Sequence, residues 1–440
     1  MYLFAHQLPK EAYGQYQNFW SQLNVFNALL TIGIPVLIFN YSPNYILQIV
    51  KGISHSKKGL YIIFIFALAI GFGALQSYQS QLNIGIAAGF LALFSISLLL
   101  ESALLVFRRF KILLISNFLY AMFFLGAHIY WLQQNVAFDY NALFLVCLIG
   151  NVIKCCIQYW DINKSFSALS APETISLNEV RETKRLWGHL YLLDIISICF
   201  IWIDKFIVSL VLSPEDSAVY VNGTLNIPFL PIIFSAVSSA TLMVLADTQD
   251  RKDIMPNMRK LGSQLGRFAF PIFFYFLILG NVFITVFFSE KYVHSIPIFL
   301  CTICVLPLRA YNYSLVLQKK GRGNIINLGA IIDLVIAVAM MYPLYQWWGL
   351  TGLSLSFVIS TYFQAIFYLY HSAKTLDCTI LDIIPLKNWL VQFIFYGLLT
   401  FVLYICFGYI LSGLSLLCVV AALLGVVILR FAIKSPLKDI

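Results

Sequence analysis

Asp194, Asp204 and Lys205 stand inside the stretch from Trp187 to Ser213, an apolar run otherwise suited to crossing a bilayer. A membrane core takes about 20 apolar residues as helix, so all three charges fall at membrane depth. Each costs roughly 2.5 to 3.5 kcal/mol there even on insertion-based scales, and such groups face a bundle interior or a wet cavity. At about 100° per residue, Asp194 and Lys205 lie within about 20° of each other around the helix, with Asp204 on the flank. That face is a candidate cavity wall, the alternative being that Asp204 and Lys205 form a structural pair neutralising neighbouring helices. Arg309 and Asp333 are placed on consecutive predicted helices. Each lies about nine residues, roughly 13 Å, from the cytoplasmic side, too deep for the side chain to reach the surface. They too either pair structurally or line a cavity. Basic groups at depth suit an anionic ligand, and Asp194, Asp204 or Asp333 could carry a proton or sodium ion. Glu101 and Lys154, about six residues from their helix ends, are expected to pair locally and to snorkel, respectively. Pro35, Pro228, Pro231 and Pro307 supply kinks near these charges.

Composition excludes most other chemistry. The 440 residues are 61% hydrophobic and only 11% charged, with mean hydropathy +0.86, against roughly 25% charged in soluble proteins. The chain is a polytopic membrane protein. Its net charge of +9 lies on no soluble domain, so no nucleic-acid partner is expected. Cys301 and Cys304 form a CxxC within an apolar helix, without companion ligands, and read as packing residues. His128, in another apolar span, reads as hydrogen-bonded. No phosphate-binding loop, HExxH or GxSxG motif occurs, so neither an enzyme nor a cofactor or metal site is indicated. Met1 to Ala5 is too short for the apolar core of a signal peptide.

The elements that must position the charges follow from hydropathy. About 13 spans are predicted: Tyr16 to Phe39, Gly59 to Ser77, Leu82 to Phe107, Ile112 to Leu132, Tyr140 to Trp160, Trp187 to Ser213, Ala218 to Ala246, Leu265 to Phe288, Ser295 to Leu317, Ile325 to Tyr345, Leu350 to Tyr370, Trp389 to Leu411 and Leu414 to Phe431. Alternate loops carry the basic residues, among them Lys57, Lys58, Arg108, Arg109, Lys164, Arg181, Arg259, Lys319, Arg322, Lys374 and Lys434. That side is cytoplasmic, and so is the C-terminus.

An internal repeat sets the larger organisation. Leu8-Pro-Lys-Glu11-Ala-Tyr-Gly14-Gln-Tyr16-Gln-Asn18 aligns with Leu212-Ser-Pro-Glu215-Asp-Ser-Ala218-Val-Tyr220-Val-Asn222 at a constant offset of 204. Each precedes a long apolar span, so two parallel lobes of six helices are expected. Residues 1–160 form the N-terminal lobe, 161–186 a cytoplasmic linker with a surface helix after Ser176, 187–373 the C-terminal lobe, and 374–440 an extra helix pair and tail. By the offset, Met1 falls opposite Lys205, so the first lobe is expected to lack most of its first helix.

LSPEDSAVY after WIDKFIVSLV, the matching LPKEAYGQY, the segment PLRAYNYSLVLQKKGRGN and WGLTGLSLSFVIS entering a late helix resemble the Wzx-type polysaccharide flippases of the MOP exporter superfamily. The resemblance runs from Leu8 to Lys374, with Ala218 where the family tends to have Gly. It implies two six-helix lobes around a central cavity plus two C-terminal helices, in a bacterial inner membrane. It further implies transfer of undecaprenyl-diphosphate-linked oligosaccharide units, such as O-antigen, from the inner to the outer leaflet, alongside other polysaccharide assembly proteins. Lys205 and Arg309 would then meet the diphosphate. A small-molecule antiporter of the same superfamily would favour acidic cavity groups. A membrane glycan polymerase or acyltransferase would show a large outer loop, whereas these loops are a few residues long.

Overall fold

Every regular element among the described residues is helical, as expected where lipid cannot satisfy an exposed backbone. The coordinates are a computed structural model describing residues 2–52, 54–133, 139–167, 177–225, 227, 230, 234 and 251–434. In order the helices are α1 (Tyr2–Gln7), α2 (Lys10–Thr31), α3 (Ile34–Ile38), α4 (Pro43–Gly52), α5 (His55–Ser80), α6 (Ile84–Val106), α7 (Phe110–Gln133), α8 (Tyr140–Ser167), α9 (Leu177–Val211) and α10 (Pro214–Gly223). They continue as α11 (Arg251–Phe288), α12 (Ser295–Ile303), a 3-10 turn at Leu306–Ala310, α13 (Leu315–Lys319), α14 (Gly323–Leu376), α15 (Ile380–Ile383), α16 (Leu386–Gly408) and α17 (Gly413–Lys434). Eight described helices are long and apolar enough to cross a membrane. They coincide with predicted spans, and α14 holds two of these, joined where Gly349 (φ 56°, ψ −139°) leaves helical geometry.

The first compact unit comprises Gln7–Ala218. Here α2 packs on α5, α6 and α9, while α8 packs on α6 and α7. Phe19, Phe90 and Phe144 form its aromatic centre, with ring centroids 4.0 to 5.7 Å apart. His128 is hydrogen-bonded, as the sequence indicated. Its Nδ1 donates to Phe124 O at 2.7 Å, which leaves Nε2 to accept from the Tyr16 hydroxyl at 3.0 Å. The repeat motifs touch within this unit: a Cβ on Gly14 would lie 1.8 Å from Pro214 O, so the approach requires glycine.

Two expectations change here. Repeat logic assigned the Trp187 helix to the C-terminal lobe, but α9 belongs to the first compact unit and lies along α2 and α3. The reason is polar as much as apolar. Trp187 Nε1 donates to Ile32 O at 2.7 Å, and Gln22 Nε2 donates to Ser209 Oγ at 2.9 Å. The linker is also shorter than expected, since α8 continues to Ser167 and α9 starts at Leu177 as one unbroken helix instead of a separate surface helix.

The second unit comprises Met1–His6 with Val219–Ile440. It is built around α11, which packs against α12, the 3-10 turn, α16 and α17. Leu261, Leu265, Ala269, Phe270, Tyr311 and Tyr396 form its core. The C-terminal pair, expected as an addition outside the repeat, is tied to α11 by Trp389 Nε1 donating to Gly262 O at 2.8 Å and Tyr275 Oη donating to Leu417 O at 3.1 Å. The opposite face of α16 leaves Leu390, Val391, Ile394 and Leu398 exposed, as lipid contact requires. Pro228 and Pro231 lie outside the described residues.

Candidate functional site

In the first unit the charges sit on α9 against a polar face of α2. Lys205 Nζ lies 3.0 and 3.2 Å from the two Asp204 carboxylate oxygens and donates to Ile201 O at 3.2 Å. Helical side chains lean toward the N-terminus, which lets Lys205 reach both its neighbour and the carbonyl one turn back. Asp204 is 5% and Lys205 8% exposed. Asp204 and Lys205 thus neutralise each other in this conformation, and Asp194 is not part of the pair. Asp194 is half-buried and makes no hydrogen bond or ion pair among the described residues. It lies one turn beyond Tyr191, whose Cα would stand 2.8 Å from a Cβ on Gly33. The α2 helix ends there because Ile32 and Gly33 take positive φ (41° and 67°), and Pro35 then enters α3.

Uncharged amides of α2 also belong to this polar face, although the charges at depth do not point to them. Gln17, Asn18, Gln22 and Asn27 are all buried. Gln22 donates to Gln79 Oε1 at 2.7 Å, Gln79 Nε2 donates to Ser209 O at 3.0 Å, and Ser95 Oγ donates to Asn27 Oδ1 at 2.8 Å. The signal was visible: amides recurring every three to five residues along a span are as unusual at membrane depth as charges. These bonds hold α2, α5, α6 and α9 together one turn from the Asp204 and Lys205 pair.

Glu101 pairs locally, as expected, accepting from Ser97 Oγ at 3.2 Å. Lys154 departs from expectation: it is buried and does not extend toward a helix end. It instead crosses to Glu101 at 2.5 Å and stands over the Tyr120 ring, 5.1 Å from its centroid. About two turns further along α8, Asp161 accepts Arg109 Nε at 2.7 Å and Nη2 at 2.5 Å.

Arg309 and Asp333, expected either to pair or to line a cavity, form no ion pair with each other in the second unit. Asp333 is 0% exposed, and neither carboxylate oxygen has a hydrogen-bond partner among the described residues; the nearby Ser360 hydroxyl donates to Phe357 O. Arg309 is exposed and forms no ion pair or hydrogen bond among the described residues. It lies on the 3-10 turn that follows Pro307. The break breaches a run that would otherwise continue from Ser295 as apolar helix. Tyr311 and Tyr313 follow, their rings 5.3 Å apart. The Arg309 guanidinium offers a planar fork of the kind that matches phosphate oxygens.

Residues 40–297 match the profile of the family described as polysaccharide biosynthesis protein. The chain belongs to this polysaccharide biosynthesis family. The matched region contains Asp194, Asp204 and Lys205 and stops short of Arg309 and Asp333. A Shigella flexneri protein assigned as an O-antigen transporter is 25% identical over 195 residues, which cover 42% of this chain. The match spans 45% of that relative's length. The fold is similar to the lipid II flippase MurJ in an inward closed conformation, at a TM-score of 0.68 and 14% identity, over 98% of this chain and 95% of that one. It is also similar to an inward-facing multidrug resistance MATE transporter of the MOP superfamily, at a TM-score of 0.58 and 13% identity, over 85% and 92% of the two chains. All three are described as transporters or flippases, and none as an enzyme. This polysaccharide biosynthesis protein thus has the MOP-type fold that its sequence resembled.

The Asp204 and Lys205 pair makes a test of its own. Removing either partner leaves the other charge buried, so Lys205→Ala and Asp204→Ala should each lower the yield of folded protein. The double variant should recover it through a coupling of about 0.5 to 3 kcal/mol. Thermal unfolding of the three variants measures that coupling; strict additivity would show that the pair is not a unit.

Proposed function

We propose that this protein moves lipid-diphosphate-linked oligosaccharide units from the inner to the outer leaflet of a bacterial cytoplasmic membrane by alternating access. The observation that carries the proposal is Arg309: an exposed guanidinium at a helix break, without a hydrogen bond or ion pair among the described residues. An anionic lipid head group supplies the partner the fold withholds. Lys205 is a second anion contact, available when it exchanges Asp204 for substrate. The family, the MOP-type fold and the O-antigen relative support this substrate class. Acidic groups free to take a drug cation would be expected of a small-molecule antiporter; of the three carboxylates Asp204 is occupied by Lys205 and Asp333 is fully buried, which leaves Asp194 alone accessible.

The Lys and Arg bias of alternate loops puts the C-terminus in the cytoplasm. Outward movement of anions is then downhill by about 2.3 kcal/mol per charge per 100 mV. Of the three carboxylates, Asp333 is the candidate for binding a driving cation, because its oxygens lack a partner among the described residues. Asp194 is the second candidate.

Deleting the gene tests the function. Lipid-linked repeat units should accumulate on the inner side, and long-chain surface glycan should disappear, both reversed by the intact gene. Normal glycan length and unchanged precursor levels in the deletion strain would overturn the reading.

A further inference from the structure

At the end of the first unit poor in Lys and Arg, the last turn of α5 and the first turns of α6 and α8 line an open surface depression of about 430 Å³, within the size range of small-ligand sites. Ser77, Gln81, Asn83 and Asn141 supply its polar lining, Ile84 and Ile86 its apolar wall, and no charged side chain lines it. We propose that this pocket binds a neutral saccharide. Its amides are held on a fixed frame. Asn83 N donates to Asn141 Oδ1 at 2.7 Å, joining the α5–α6 turn to α8, while Asn83 Oδ1 caps α6 by accepting from Gly85 N at 2.8 Å and Ile86 N at 3.4 Å. Gln81, at φ 56°, makes the turn between the helices.

That frame uses the amide oxygens of Asn83 and Asn141 and leaves particular atoms over. Asn83 Nδ2, the whole Gln81 amide and the Ser77 hydroxyl have no side-chain partner among the described residues. Asn141 Nδ2 gives one long bond, 3.5 Å, to Gln81 O. Amides set a donor beside an acceptor, the pattern adjacent sugar hydroxyls present, because each hydroxyl gives one proton and takes two. Ile84 and Ile86 meet the C–H face of a ring. A phosphate or uronate would find no cation among the described lining residues, and the Asp139 carboxylate beside them is engaged at the start of α8, accepting from Asn141 N at 2.9 Å and Ala142 N at 3.3 Å. On the proposed function, on which only the source of the saccharide rests, this is the outer side, where the pocket holds the glycan as it leaves.

Saturation-transfer difference NMR on the full chain in phospholipid nanodiscs, which carry no sugar detergent, tests the site directly. The probes are N-acetylglucosamine, galactose and rhamnose, with glucuronate as the charged comparison. Transfer to at least one neutral sugar is expected, at least fivefold weaker in Gln81→Gly, which suits the positive φ, and in Asn141→Asp, which keeps the acceptor for Asn83 N. Thermal unfolding confirms that both variants are folded. No transfer to any neutral sugar, equal transfer to glucuronate, or undiminished transfer in both variants overturns the proposal. Binding in a protein whose deletion leaves glycan export normal would sink the transport reading alone; an export defect without binding would sink the pocket alone.

Discussion

Arg309→Ala is expected to lower glycan transport about tenfold or more while the amount of folded protein in the membrane stays the same. Hydrogen bonds to a charged group are worth about 1.5 to 3 kcal/mol, and about 1.4 kcal/mol is a factor of ten. The fold loses little, because the guanidinium is exposed and makes no bond to the described residues. Its loss should fall within about 0.5 kcal/mol of neutral for stability. Arg309→Lys keeps the charge without the bidentate fork and should be intermediate. Transport by these variants in a deletion strain, measured as the length of surface glycan against membrane protein level, checks the ordering. Full transport by Arg309→Ala would remove Arg309 from the substrate path.

Lys154→Met is expected to destabilise the first unit strongly, toward the lower end of about 3 to 5 kcal/mol, because it strands the Glu101 carboxylate. Glu101 is only a quarter exposed and keeps just the Ser97 hydroxyl, at 3.2 Å, when Lys154 is gone. The double variant Glu101→Gln, Lys154→Met removes both charges and should regain most of the loss, apart from the cation–π contact with Tyr120, worth about 0.5 to 2 kcal/mol. Fluorescence-monitored thermal unfolding of the single and double variants in detergent distinguishes the cases. Equal instability in the single and double variants would show that the pair contributes through packing alone. The contrast with Arg309 is the useful part: one cation is expected to matter for transport and not for stability, the other for stability first.

The class of this protein was legible in its sequence because membrane insertion acts on composition and local order. Runs of about 20 apolar residues must be helices, whatever they pack against. The spans from Gly59 to Trp160 and the C-terminal pair accordingly match the helices of the structure. The charges at depth were equally legible, since their cost depends on residue type and depth alone. Even the His128 hydrogen bond followed from a polar ring in an apolar span.

Partners were not legible, because they depend on which helices lie side by side. Asp204 and Lys205 are neighbours in sequence, yet only their burial together shows that they satisfy each other. Lys154 meets Glu101, 53 positions earlier, because α6 and α8 pack closely; distance along α8 had pointed to the surface instead. Arg309 and Asp333 share adjacent helices and do not pair, because the chain breaks at the 3-10 turn after Pro307 and exposes the guanidinium, while Asp333 turns inward. The repeat assigned α9 to the second lobe, whereas α9 packs within the first compact unit, since similarity along a chain carries no information about which neighbour a helix covers. Sequence by itself determined that this is an all-helical membrane protein of a polysaccharide family with charges at depth. Which of those charges are already neutralised and which remain available was decided only by tertiary structure, because neutralisation acts over a few ångströms between helices that the chain order does not bring together.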